Sequence, residues 1–299
     1  MTTASNVQPS VPAHKPDDLA ARLAHLVVAR TTGGSVKMGA VLSRAVAALL
    51  VLAASALLAP APVVAARWKP GPGTIWQVQF SGRLDRSVDA EAFDVDLFDT
   101  SARTVAALHA DGRRVVCYIN AGAWEDWRSD AGRYPRSVKG RALDGWPGER
   151  WLDIRRIDLI GPILADRLDA CTAKGFDGVE FDNVDGYSNP SGFPLTAADQ
   201  LAFNRWLAAR AHERGLAVGL KNTLGLAAAL EPAFDFAILE QCFQYRECAL
   251  AAPFVAAGKS VIDIEYSLSR DQFCDRAARL GISAMRKRLS LDAWRRPCP

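Results

Sequence analysis

Four carboxylates crowd into nine positions of the stretch DGVEFDNVDGY: Asp177, Glu180, Asp182 and Asp185. Val179 and Phe181 alternate with Glu180 and Asp182, which reads as a strand, and Asn183–Gly186 reads as the polar turn that ends it. Like charges this close are unfavourable unless solvated, paired, bound to a cation or partly protonated. Such a cluster marks a place where charge is used, with a solvated strand end as the plain alternative. A further carboxylate, Glu240, follows the apolar run Phe234–Leu239, and Lys221 closes the run AVGLK between the two. Glycoside hydrolysis needs two carboxylates flanking a sugar–oxygen bond, one able to give a proton and one ionised. Asp182 and Glu240 are the natural pair, and Lys221 could hold one of them ionised or bind the sugar.

Other chemistries fit less well. The four histidines, His14, His25, His109 and His212, fall in the leader or on helical runs, which argues against a Ser–His or Cys–His device and against a His-rich metal site. A calcium loop through Asp182, Asn183 and Asp185 lacks the glycine and distal glutamate of an EF loop. No metal and no cofactor is expected.

These residues need a scaffold that brings strand ends together. Short apolar runs predict strands at Thr74–Phe80, Ala92–Phe98, Arg113–Asn120, from Asp177, and at Ala217–Lys221, Phe234–Leu239, Ser260–Glu265 and Ile282–Arg286. Longer runs between them predict helices at Ser101–Ala110, Ile157–Lys174, Thr196–Arg214, Gly225–Leu230, Cys248–Ala257 and Ser269–Leu280, with a last turn or helix near Leu291–Trp294. Residues 121–153 are rich in Gly, Arg and Trp, show no clear period and read as one long functional loop. Eight strands alternating with helices predict an α/β fold, a single (β/α)8 TIM barrel. A doubly wound sheet would show a Gly-rich first turn, and none follows Phe80. The barrel puts chemistry at the C-terminal strand ends. Those ends carry Gln79, Asp99, Asn120, Asp182 with Asp185, Lys221 with Asn222, Glu240 with Gln241, and Glu265 with Tyr266. Trp124, Trp127, Trp146, Trp151, Tyr187, Tyr245 and Tyr266 follow strand ends too, and flat aromatic faces suit pyranose rings. Trp146 and Trp151 could equally pack the long loop on the rim.

The 299 residues, 49% hydrophobic and 23% charged, form an ordinary folding composition. The net charge of +3 is too small and scattered for nucleic acid. Paired CxxC, Walker and post-strand GxGxxG patterns are missing, as are repeats. Residues 1–37 read as a polar, alanine-rich leader or an over-extended start, with Met38 as the alternative first residue. Residues 38–66 have a basic flank, the apolar run Ala45–Ala59 and a small-residue stretch, the order of a signal peptide cleaved after Ala65 or Ala66. An uncleaved signal anchor is the alternative and the one route to a membrane. Residues 67–299 are left as the catalytic domain, expected to be a monomer, secreted or at the cell surface. Export makes disulfides the expected state of the six cysteines. Cys242 and Cys248 suit a local clip. The other four allow three pairings that the sequence does not decide; Cys274 with Cys298 is the working expectation, and Cys117 could be a plain buried thiol.

The segments WQVQFSG (76–82), FDVDLFDTS (93–101), CYINAGAWEDWR (117–128), GFDGVEFDNVDGY (175–187), GLKN (219–222) and EQCFQYRECA (240–249) together resemble glycoside hydrolase family 114, over nearly all of Trp68–Pro299. The resemblance implies a (β/α)8 barrel that cleaves α-1,4-linked galactosamine polymers in an endo fashion, with a polysaccharide as partner. It implies Asp182 as nucleophile and Glu240 as acid/base, with Asp99, Asp185 and Glu180 near substrate amino groups. Gln79, Tyr118, Asn120, Trp124, Tyr187, Lys221, Asn222, Gln241, Tyr245 and Glu265 complete the candidate substrate-binding set. A hydrolase of another polysaccharide and a non-catalytic glycan-binding barrel are the competing expectations.

Overall fold

The computed structural model describes residues Arg67–Pro299, so the leader and the signal segment lie outside the described residues. Strands β1 (Trp76–Gln79), β2 (Ala92–Asp96) and β3 (Arg114–Asn120) pair in parallel and in sequence order. The next three, β4 (Ala123–Glu125), β5 (Lys139–Ala142) and β6 (Glu149–Leu152), form a separate antiparallel sheet in the order β4-β6-β5. The main sheet resumes with β7 (Gly178–Asp182), β8 (Ala217–Lys221), β9 (Phe236–Glu240), β10 (Val261–Glu265) and β11 (Ser283–Lys287), all parallel, and ends in the antiparallel β12 (Arg295–Pro297). All eight expected strands are present.

The sheet curls into a nearly closed, TIM-like barrel, and the C-terminal tail fills the seam. Phe80 and Ser81 donate their backbone N–H groups to the Leu291 carbonyl at 2.9 and 3.2 Å. Gln77 Nε2 donates to the Ala293 carbonyl at 3.0 Å, and Arg295 Nη1 to the Trp76 carbonyl at 2.6 Å. The helical turn expected near Leu291–Trp294 is therefore replaced by extended chain and β12, because edge groups of β1 need partners more than the tail needs a helix.

Helices α1 (Ala102–Ala110), α2 (Ile157–Lys174), α3 (Ala197–His212), α4 (Ala227–Leu230), α5 (Cys242–Tyr245), α6 (Ala252–Ala256) and α7 (Arg270–Leu280) surround the sheet. Local chemistry fixes their ends. Ser101 accepts from the Thr104 N–H, and Thr196 with Asp199 and Ser269 with Gln272 form capping boxes. Gly175 and Gly281 close α2 and α7 with φ of 89° and 69°. The helix expected over Cys248–Ala257 is a 3₁₀ turn at Cys248–Ala251 followed by α6.

Period-two alternation sorts the strand residues into two shells. Trp76, Val78, Ala92, Val116, Ala217, Phe236, Ile238, Ile262, Ile264 and Met285 pack inside the barrel. Val115, Cys117, Ile119, Val179, Phe181, Val218, Leu220, Ala237, Leu239 and Val261 face the helices. Gly219 has to be glycine, since a Cβ there would stand 2.4 Å from the Phe236 ring.

Three disulfides staple these layers: Cys117–Cys171, Cys242–Cys248 and Cys274–Cys298. The two expected clips are present. Cys117 is not a plain buried thiol: it points outward from β3 and is bonded to Cys171 of α2, bracketing the whole β4–β6 insertion. Among the described residues no helix is long and apolar enough to cross a membrane.

Candidate active site

The inward-facing last residues of β7, β8 and β9 meet around one ammonium group. Lys221 is buried, and its Nζ lies 2.8 Å from Glu180 Oε1, 3.4 Å from Asp182 Oδ1 and 3.6 Å from Glu240 Oε2. Burial works against its charge, but the Asp182, Glu180 and Glu240 carboxylates outweigh it and hold Lys221 protonated well above the usual lysine range. Because Asp182 Oδ1 and Glu240 Oε2 both touch this nitrogen, the two oxygens are separated by at most about 7 Å.

Each carboxylate has its own tyrosine. Tyr118 of β3 donates its hydroxyl to Asp182 Oδ2 at 2.8 Å, and the Asn183 N–H donates to Asp182 Oδ1 at 2.8 Å. Tyr266, just after β10, donates to Glu240 Oε1. Burial pushes the Glu240 carboxyl up, opposed chiefly by the Lys221 charge. The chain turns sharply after every one of these strands. Asn183, Asn222, Thr223 and Gln241 have φ of 58°, 44°, 51° and 58°, left-handed values that cost a residue other than glycine roughly 1–3 kcal/mol each. Side-chain bonds support the turns: Asn222 Oδ1 accepts the Glu240 N–H at 2.9 Å, and the Thr223 hydroxyl donates to the Val184 carbonyl at 3.0 Å.

The β4–β6 sheet is a lid rooted in the same turn. Ala121 and Gly122 donate their N–H groups to the Asp182 carbonyl at 3.1 Å, and a Cβ on Gly122 would overlap the Asn183 carbonyl oxygen at 1.7 Å. Asn120 links lid to rim. Its Nδ2 donates to Glu149 Oε2 at 2.9 Å, and its Oδ1 accepts from Ala123 N at 2.9 Å and from Asn183 Nδ2 at 3.1 Å. Burial, then the Glu125 and Asp182 charges, push the Glu149 carboxyl up to about 7. Below the lid, Arg128 pairs with Asp96 at 3.0 and 2.6 Å and with Glu125 at 2.7 Å, and Arg167 grips Asp130 at 2.8 Å through two nitrogens.

The expected residues divide into three groups. Asp182, Glu240, Glu180, Lys221, Tyr118, Asn120 and Asn222 converge at this centre. Asp185 borders it, its carboxyl pushed to about 6 by burial and by Asp182. Tyr187 is half-buried, its N–H bonded to Gln200; Gln241 bonds Gln244 at 3.0 Å, and Tyr245 is exposed. Trp124 is half-buried, with its N–H on the Ala131 carbonyl and the Lys139 ammonium 3.7 Å from its ring centre.

Three expectations need correction. Glu265 is out of phase with the inward Ile264 and Tyr266: it turns to the helices and accepts the Phe243 and Gln244 N–H groups at 2.8 and 3.2 Å. The Gln79 amide is engaged by its own loop, through Ser81, Arg83 and Asp85. Asp99 is exposed, three residues beyond the true end of β2, and Asp96 takes the strand-end position. Of the tryptophans in the expected loop, Trp151 is buried, whereas Trp127 and Trp146 stand exposed on the lid. Asp94, Asp96, Glu125, Arg128 and Glu149 were not in the expected set. The period-two phase of β2 could have found Asp94; nothing local identifies Glu149. Among the described residues no cluster suits a metal ion.

The sequence model of glycoside-hydrolase family GH114 matches residues 58–299. The crystal structure of Aspergillus fumigatus Ega3 in complex with galactosamine is 39% identical, covers 80% of this chain and 100% of its own, and superposes with a TM-score of 0.75. The glycoside hydrolase domain of PelA from Pseudomonas aeruginosa shares the fold at 14% identity, over 75% of this chain and 98% of its own, with a TM-score of 0.60. A comparison with curated protein sequences gives no match.

Proposed function

The chain belongs to glycoside-hydrolase family GH114 and is a glycoside hydrolase, and from that premise we propose that it cleaves a galactosamine-containing polysaccharide from within, with Asp182 as nucleophile and Glu240 as acid/base. The carrying observation is the pair of carboxylates either side of the Lys221 ammonium. Asp182 receives two donors, from Tyr118 and Asn183, and has the Lys221 ammonium 3.4 Å away, which suits a carboxylate that attacks. Glu240 is pushed up by burial, which suits a group that must hold a proton. In this scheme Glu240 gives its proton to the leaving sugar oxygen while Asp182 attacks the anomeric carbon. Glu240, now a carboxylate, takes a proton from the water that breaks the glycosyl–Asp182 bond and is restored as the acid. Retaining enzymes hold their carboxyls about 5–5.5 Å apart and inverting ones about 6.5–9.5 Å apart. The bound of about 7 Å accommodates the retaining separation that this scheme requires.

Galactosamine is favoured by the 39% identical Ega3, whose crystal contains it, and by a carboxylate-rich rim that attracts a cationic sugar. Exposed Trp127, Trp146 and Tyr245 offer flat faces for sugar units beyond the cleaved pair, as endo cleavage requires. We read the eight parallel strands as a (β/α)8 barrel with the tail in its seam, residues 67–299 as the hydrolase domain, and 38–66 as an export signal. Three disulfides support an oxidising destination. The test is release of reducing ends from galactosamine-containing polymer. Asp182→Asn and Glu240→Gln should each lower kcat/KM at least about a thousandfold in folded protein. Wild-type turnover in either variant would reject the assignment.

A further inference from the structure

The mechanism leaves unused a fully buried acid that lies inside the barrel. Asp94 sits inside the barrel on β2 with no solvent exposure, and neither carboxyl oxygen has a donor among the described residues. Its neighbour across β3 is Glu180, also fully buried, whose Oε2 lacks a donor as well. The two carboxyls abut each other. Two ionised carboxylates have no hydrogen to share, so three buried oxygens would stay unsatisfied beside a like charge. One proton between them pairs two of these three oxygens and removes the like charge at once. The groups facing Asp94 decide where it sits. From β3 comes Tyr118, whose hydroxyl is already given to Asp182; β7 brings Glu180 and Asp182, β8 brings Lys221, and β1 carries no charged side chain. Glu180 Oε1 already takes the Lys221 ammonium at 2.8 Å, so Glu180 is the favoured anion and Asp94 the favoured acid.

We propose that Asp94 is a positioning residue that stays protonated in the working enzyme and donates to Glu180 Oε2, fixing Glu180 as the anion that anchors Lys221. The consequence lies in the unequal distances around Nζ. Lys221 is bound closely to Glu180 at 2.8 Å, whereas Asp182 and Glu240 lie 3.4 and 3.6 Å away. Anchored this way, Lys221 offers both carboxylates a fixed positive charge without holding Asp182 in a short bond that attack on the sugar would have to break. Without that donor, Glu180 Oε2 is left unpaired in the barrel interior, and the Glu180 carboxylate that anchors Lys221 is no longer fixed in orientation.

This inference rests on the proposed roles of Asp182 and Glu240, but its main test does not. Neutron diffraction from the deuterated wild-type protein at pD 8 should show a deuteron between Asp94 and Glu180 and three on Lys221 Nζ. An Asp94 carboxyl with no deuteron overturns the proposal whatever the substrate proves to be. Kinetics supply the second arm. Asp94→Val, which removes the donor at similar size, should lower kcat about thirtyfold with little change in KM. Asp94→Asn, whose amide repeats the donor, should recover activity to within about threefold of wild type, with an unaltered pH profile. Equal losses in the two variants, or a displaced pH profile in Asp94→Asn, would also overturn it.

Discussion

The rim built by β7, β8 and β9 and the lid built by β4, β5 and β6 both bring buried charge to Asp182, by different means. On the rim the charged groups are inward residues at or two positions before the ends of their strands, and neighbouring strands set their spacing: Asn120 is in register with Asp182, and Glu180 with Gly219, two residues before Lys221. Alternation then aims Glu180, Asp182, Lys221 and Glu240 into one mouth. On the lid the charges reach the site through long-range pairing and one relay, Glu149 to Asn120 to Asn183. The rim concentrates charge; the lid fixes the turn that carries it.

The contrast predicts the largest effect at the rim's centre. Lys221→Met leaves Asp182, Glu180 and Glu240 without their shared cation and should lower kcat/KM about a thousandfold. Because Lys221 is the main influence opposing the burial of Glu240, the alkaline limb of the pH–rate profile should also move to higher pH. Retention of more than a tenth of wild-type activity would show that the rim does not depend on that charge. Next comes the lid's root. Gly122→Ala drives a methyl group into the Asn183 carbonyl and should cost about 3 kcal/mol, the upper end of overpacking, measured by urea unfolding. Wild-type stability would mean that lid and rim can separate without consequence.

The same contrast explains what could be read in advance. Period-two runs flanked by helix caps were enough to locate all eight parallel strands and to put Asp182, Lys221 and Glu240 at neighbouring strand ends. Gln79 and Glu265 were expected in the mouth because they end strands, yet the phase of each strand turns them elsewhere. Strand ends predict the rim only when combined with phase. The lid's strands are three or four residues long, and Asn120 meets Glu149 across 29 residues, so no local pattern announces either. Likewise, the proton between Asp94 and Glu180 follows from burial and missing donors, which appear only once the barrel has curled.

Glu149 tests the lid's electrostatics. Its carboxyl is pushed up to about 7, so between roughly pH 4.5 and 7 the folded protein keeps a proton that the unfolded chain has released. Stability from this group is therefore complete at low pH and declines as pH rises through that window, the reverse of a salt-bridged carboxylate. The difference corresponds to roughly 3 kcal/mol above pH 7. Glu149→Gln keeps an acceptor for Asn120 without the charge. Relative to wild type it should gain up to about 3 kcal/mol in urea unfolding on going from pH 4.5 to 8. A pH-independent difference would mean that the lid's acid is solvated after all.

The smallest effect distinguishes the two tyrosines, Tyr118 bonded to Asp182 beside the lid and Tyr266 bonded to Glu240 on the far rim. A donor to a carboxylate favours its ionised form, so removing the Tyr266 hydroxyl lets burial push Glu240 higher still. A Glu240 that binds its proton more tightly is a weaker acid, and Tyr266→Phe should lower kcat about tenfold. The alkaline limb should move up in the same direction as in Lys221→Met, but less. Tyr118→Phe removes a donor from Asp182 instead, so it should lower kcat while leaving that limb close to its wild-type position. Matching alkaline shifts in the two variants would mean that the carboxylates titrate as one unit, and the division between a nucleophile held from the lid side and an acid held from the rim side would fail.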